Sequence, residues 1–299
     1  MVKNILSAAM ALALTTGAAT AEIKLNDNFM VSGFLDMSAI SDDGTKGMAL
    51  DQAEIDFIFN YDNGLSLRAD LQGSPNTTTS LEQAFMSYDM GDGLSLTMGK
   101  FLSVSGWEAA EPTGLYQYST SATLVYGGYQ HGAALSYSKE KFALFGSVVS
   151  SVWDGTDTSA EEVGFEAQLT LMPTEDVTAK AAFLYEDFGA FNTSLINVWA
   201  SYGMGALLLA GEINLLSNWQ ADGNDGTGFL AMANYGISDK IGVTGRFSSL
   251  DTDAAETVSE FTISPSYMVN ENWLIVTEAK FMSNGSDTSH FALESLLTF

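Results

Sequence analysis

The sequence contains no cysteine, which removes disulfide bridges, thiolate metal sites and cysteine nucleophiles from consideration. Basic residues are also scarce. Eleven Lys and Arg stand against 37 Asp and Glu, a formal charge of −26, and this excludes nucleic acid as a partner because phosphate binding needs clustered cations. The two histidines, His131 and His290, lie in no His-Glu-x-x-His motif, and no serine has glycine at both −2 and +2. The chain therefore reads as a non-enzyme without cofactor, and a Ser–His pair meeting on a folded wall is the enzymatic alternative. Asp222 to Gly226 has the look of a calcium loop, but Ala233 stands where a bidentate Glu belongs, so no metal is assigned.

Long hydrophobic runs are missing too. A membrane helix needs about 20 apolar residues, whereas a run such as Ala206 to Ala210 is soon broken by Gly211, Glu212 and Asn214. Near the start, Lys3 precedes an apolar stretch from Ile5 to Leu14, and Ala19-Thr20-Ala21 offers a small-residue cleavage site. Residues 1–21 are expected to be a secretory signal peptide, leaving 22–299 as the folded unit.

What the sequence has instead is a period of two. Ala53, Ile55, Phe57 and Phe59 alternate with Glu54, Asp56, Ile58 and Asn60; Asn63-Gly64 makes a tight turn; then Leu65, Leu67, Ala69 and Leu71 alternate with Ser66, Arg68, Asp70 and Gln72. Sixteen such segments are predicted at 29–40, 50–60, 65–72, 82–90, 94–101, 129–138, 141–151, 162–171, 177–186, 194–203, 206–215, 228–236, 240–250, 258–268, 272–282 and 289–299. About ten tilted residues cross a bilayer as a strand. The links alternate between short turns and longer polar stretches such as 41–49, 73–81, 102–128, 251–257 and 283–288. Tyr61, Tyr88, Tyr137, Tyr202, Tyr235 and Tyr267 precede short turns and Trp273 follows one, as in an interfacial girdle. The fold class is thus all-β: a transmembrane antiparallel up-and-down barrel of about 16 strands with long external loops. Facing stays open for Phe229, Ala231, Ala233 and Tyr235 against Leu230, Met232 and Asn234, and Phe145 and Trp199 point inward.

The chain ends with Phe291, Leu293, Leu297 and Phe299 on one face, and here it resembles bacterial outer-membrane porins. That resemblance implies a bacterial outer-membrane location, contact with its lipid, a final strand read by the barrel-assembly machinery, and a homotrimer. Gly99-Lys100-Phe101, followed by Gly106-Trp107-Glu108 and Glu111-Pro112, looks like the third porin loop, which in that family folds into the lumen and narrows it. The stretch lacks the Pro-Glu-Phe-Gly-Gly of enterobacterial general porins, so the chain is more similar to the diverse porin families.

In a closed barrel the inward charges are Asp36, Glu54, Asp56, Asp70, Glu166, Glu186, Glu212, Glu260, Glu278 and Glu294, against Arg68, Lys180, Arg246 and Lys280. This excess predicts a preference for cations, unless wall pairs such as Arg68 with Asp70 or Lys280 with Glu278 neutralise it. Alternation from Leu94, Leu96 and Met98 aims Lys100 at lipid, where a midplane lysine costs about 2–4 kcal/mol. A bulge at Gly99 would turn Lys100 inward to face Glu108 or Glu111, and these with Trp107 would form the pore constriction. The expected function is passive diffusion of ions and small hydrophilic solutes. A substrate-selective channel, for example for saccharides, and a structural or adhesive barrel are the alternatives. Small outward residues Gly33, Gly146 and Gly211 are compatible with close contact between protomers.

Overall fold

A chain whose residues alternate apolar and polar satisfies both solvents only if its strands close on one another, because a free edge in lipid leaves backbone N–H and C=O groups unpaired. The computed structural model describes residues 22–42, 45–75, 77–108, 111–159, 161 and 163–299. The expected signal peptide, 1–21, lies outside the described residues. A two-residue β1 (Ile23–Lys24) precedes sixteen long strands. These are β2 (Phe29–Asp42), β3 (Thr45–Asn60), β4 (Leu65–Gly73), β5 (Ser80–Gly91), β6 (Leu94–Leu102), β7 (Tyr129–Lys139), β8 (Phe142–Val149) and β9 (Gly164–Thr174). They continue as β10 (Val177–Asp187), β11 (Asn192–Met204), β12 (Leu207–Ser217), β13 (Gly226–Gly236), β14 (Ile241–Thr252), β15 (Ala255–Asn270), β16 (Trp273–Ser283) and β17 (Asp287–Thr298). Among the described residues the one helical element is a 3-10 turn, Pro112–Gly114.

From β2 onward each strand pairs antiparallel with its sequence neighbour, and β17 pairs with β2 from His290↔Asp42 to Thr298↔Phe34, which closes the cylinder. Beyond the last pair, Phe299 N–H donates to the Gly33 carbonyl at 3.0 Å and Gly33 N–H to the Phe299 carbonyl at 2.9 Å. A methyl on Gly33 would meet the Phe299 ring at 2.7 Å, so the space at Gly33 is filled by this chain's own last residue rather than left for a neighbour. Phe291 and Leu293 are exposed on the outer face, and Leu297 shares it, while Ala292, Glu294, Leu296 and Thr298 are buried inside.

The register fixes every facing. Phe229 and Tyr235 are exposed outside and Leu230 and Met232 are buried inside, which settles β13. Tyr61, Tyr88, Tyr202, Tyr235, Tyr267 and Trp273 lie exposed beside short turns, in the girdle position; Tyr137 packs against Phe142. One of these turns, Gly91 to Gly93, holds three successive residues at positive φ, which its two glycines allow.

Two of the expected long links are mostly paired strand, and a third is half so. The β2–β3 ladder runs to Asp42↔Thr45, β14–β15 to Thr252↔Ala255 and β16–β17 to Ser283↔Asp287. Polar residues on both faces of these ends report water on both sides, and water does not forbid pairing. The strands rise beyond the bilayer before they turn.

Two bulges matter to the interior. Asp36 pairs Gln52 and Met37 pairs Leu50, which leaves Asp51 as the extra residue in β3; Asp70 pairs Gln83 and Leu71 pairs Leu81, which leaves Glu82 extra in β5. The flanking sequences match, Leu50-Asp-Gln-Ala53 and Leu81-Glu-Gln-Ala84. Two polar residues between apolar neighbours break the period of two, and a bulge restores it by turning an extra side chain inward.

Candidate pore interior

The ten acids assigned inward from the period of two are all buried within the barrel, as are Lys180 and Arg246. Arg68 and Lys280 are largely buried there as well. They meet the segment between β6 and β7, which crosses the interior. Gly106 N–H donates to Asn197 Oδ1 at 3.0 Å, Trp107 N–H to Glu212 Oε2 at 2.6 Å, Ser119 N–H to Glu278 Oε2 at 3.1 Å and Ala122 N–H to Glu260 Oε2 at 2.8 Å. Tyr118 Oη–H reaches Ser38 and, at 3.4 Å, Asp51 on the far side. A loop with little secondary structure of its own has unpaired backbone amides, and wall carboxylates accept several of them here.

Glu108 is the loop's central clasp. Its Oε1 receives Arg246 NH1 at 2.5 Å and Gln117 Nε2 at 2.7 Å, and its Oε2 receives Ser121 N–H at 2.8 Å. Arg246, 1% exposed, also donates to the Ser119 and Thr120 carbonyls. Around the ring, Trp107 stacks on Tyr116 and meets Trp199 edge-on at 5.2 Å, over Leu230 and Met232. Trp199 therefore lies beneath the loop. A second apolar cluster joins Val125 and Val152 to Phe101, Val149, Leu184, Leu195 and Leu216, with Phe145 against it. Each side chain of this size contributes about 1.5–3 kcal/mol when fully buried, so Trp107 and Val125 help the hydrogen bonds hold the loop to the wall. Burial, reinforced by the neighbouring Glu212 and Glu108, pushes the Tyr126 phenol up, so it remains the donor to Glu212 at 2.6 Å.

Lys100 departs from the expected constriction. The register runs unbroken through Gly99, from Met98↔Met86 to Lys100↔Ala84, so alternation holds and Lys100 shares the outer face with Met98. Gly99 is needed for close approach: a methyl there would lie 2.3 Å from the Ala84 carbonyl oxygen. Lys100 sits near the external end of β6, away from the costly midplane, and its Nζ donates to the Leu81 carbonyl at 3.2 Å. The cation beside Glu111 is instead Arg68, whose Nε lies 2.8 Å from Asp70 Oδ2 and whose NH2 lies 3.7 Å from Asp56 Oδ2. Lys280 pairs with Glu260 across the strands at 3.6 Å rather than with Glu278 on its own strand. Residues missed from the sequence are Glu82 and Asp51, for which the broken alternation described above was the available signal.

A closed sixteen-stranded barrel with a girdled apolar exterior, a charged interior and a loop folded across it defines a porin-class channel of the bacterial outer membrane. The chain belongs to the family described as putative beta-barrel porin-2, OmpL-like, whose model matches residues 44–296. Among solved structures it is similar to Salmonella typhi OmpF in complex with daunomycin, at 12% identity over 93% of this chain and 100% of that one, with a TM-score of 0.75. It is similar to OmpT of Vibrio cholerae in its trimer form, at 11% identity over 91% and 100%, with a TM-score of 0.70. It is likewise similar to the anion-selective porin from Comamonas acidovorans, at 12% identity over 91% and 99%, with a TM-score of 0.69. At such identities the likeness shows the fold alone. No curated protein sequence matches the chain.

Proposed function

We propose that this barrel is a diffusion porin that passes ions and small hydrophilic solutes and prefers cations. The observation that carries the preference is the interior charge. Arg246 is neutralised by Glu108 and Arg68 by Asp70, whereas Asp36 Oδ1, Glu54 Oε1, Asp56 Oδ1, Glu82 Oε2 and Glu278 Oε1 accept no hydrogen bond from any described residue. Negative charge in a narrow aqueous path between low-dielectric walls raises local cation concentration. The same fold serves an anion-selective porin, so selectivity here rests on side chains and not on architecture. Reversal potentials in planar bilayers across a potassium chloride gradient test this. The expected sign is that of cation permeation, reduced when Asp36→Asn and Glu278→Gln are combined; a potential of anion sign rejects the reading.

Trp107 and Tyr116 of the loop pack on one another and against Trp199 of the wall beneath, which supports a structural role over a saccharide platform. We also expect a homotrimer. The Vibrio cholerae neighbour is described as a trimer, and methyl groups on outward Gly146 and Gly211 would have no neighbour closer than 3.8 Å. Sedimentation of the detergent-solubilised protein checks this, and a monomer mass would refute it.

A further inference from the structure

We infer that Glu54, Glu82 and Glu111 form a divalent-cation site, best suited to calcium, that ties the internal loop to the wall of β3–β5. One carboxylate oxygen from each lies within 4.8 Å of those from the other two. The three come from separate stretches of chain: Glu54 from β3, Glu82 from the β5 bulge and Glu111 from the loop. Glu54 is 1% and Glu82 7% exposed, yet Glu54 Oε1 and Glu82 Oε2 accept no hydrogen bond from any described residue. Buried carboxylate oxygens without a donor are costly, and the neighbouring guanidinium is already committed, with Arg68 held between Asp70 and Asp56. Converging acids with unfilled oxygens around a spent cation lack one positive charge.

The bulge argues in the same direction. Regular alternation would place only one of Glu82 and Gln83 inside, but both are buried, and the extra residue is the acid. Oxygen donors without nitrogen or sulfur suit calcium, magnesium or manganese better than zinc. Calcium takes six to eight oxygens in flexible geometry, whereas magnesium demands a regular octahedron and keeps its waters. Carboxylates on two strands and a loop match the first habit. The site does not depend on the conduction reading, because binding is measured without transport.

The test uses the full mature chain, folded in detergent, stripped with chelator and titrated with terbium alone. Tyr129 Oη donates to Glu111 Oε1 at 3.3 Å, so tyrosine excitation is expected to sensitise bound terbium. Calcium should displace it at lower concentration than magnesium, in the roughly millimolar range or below that is usual for extracellular sites. Glu82→Gln and Glu111→Gln should each weaken calcium binding tenfold or more. Glu140→Gln, exposed in the short turn between β7 and β8, should leave it unchanged. Heat-modifiable gel migration establishes folding, and Glu111→Gln, on the loop, carries the test if Glu82→Gln fails to fold. Absence of calcium-displaceable emission from the folded wild type would overturn the site, as would undiminished affinity in the folded variants.

Discussion

The wall of β9–β12 and the wall of β2–β5 with β16 and β17 both carry buried acids, but they use them differently. On the first wall Glu166 accepts from Ser103, Ser147 and Gln130, and Glu212 accepts from Trp107 N–H, Tyr126 and Asn214. Glu186 accepts the Val152 and Trp153 amides there. These acids are embedded among apolar residues and act as fasteners for the loops. On the second wall Asp36, Glu54, Asp56, Glu82 and Glu278 each keep an oxygen with no donor among the described residues. A carboxylate whose lone pairs are filled by backbone amides is structural. One with a free lone pair is available to a passing or bound cation. Inward-facing charge alone therefore overstates how many groups are free to act on an ion.

A graded set of substitutions breaks this comparison if the two walls respond alike. Arg246→Ala should be the most damaging, at about 3–5 kcal/mol, because it strands Glu108 in a site that excludes water. Glu212→Ala should follow at about 1–3 kcal/mol, since three donors lose their acceptor. Glu278→Ala should cost about 1 kcal/mol or less, because only Ser119 N–H and Ser264 depend on it and Oε1 has no donor to lose. Urea unfolding in detergent, followed by tryptophan fluorescence, orders the three. A Glu278 variant as unstable as the Glu212 variant would erase the distinction between fastening and free acids.

The barrel itself was legible because lipid imposes a period of two that no helix imitates, and the facing of each wall acid followed from it. The hairpins at 41–49, 251–257 and 283–288 were misread because polarity on both faces removes the period without removing the ladder. Lys100 was misplaced because Gly99 has two readings, a bulge or a close strand approach, and only the register separates them. Glu82 was missed for the opposite reason: its bulge is a local exception inside a strand whose remainder alternates. The grouping of Glu54, Glu82 and Glu111 lay beyond sequence because closure, not spacing, brings those three positions together.

The loop's contact with the β3–β5 wall also ties its docking to pH. Burial pushes the Glu111 carboxyl up to about 7 from its usual 4.5, with Glu82, Asp56 and Asp70 adding to the rise and Arg68 opposing it. Glu54 and the Tyr129 hydroxyl also face it. Because the docked loop holds this proton more tightly than a released one, docking is favoured fully below about pH 4.5 and weakens as pH rises towards about 7. Amide hydrogen exchange in the described parts of 103–128, in the absence of divalent ions, should therefore be slower at pH 5 than at pH 8 after correction for intrinsic rates. Glu111→Gln should flatten the difference. Calcium should restore protection at pH 8 and have little effect at pH 5, since a proton and a divalent ion compete for the same oxygens. If exchange in the loop is instead slowest at high pH without calcium, Glu111 is docked as an anion and Arg68 outweighs the acids around it.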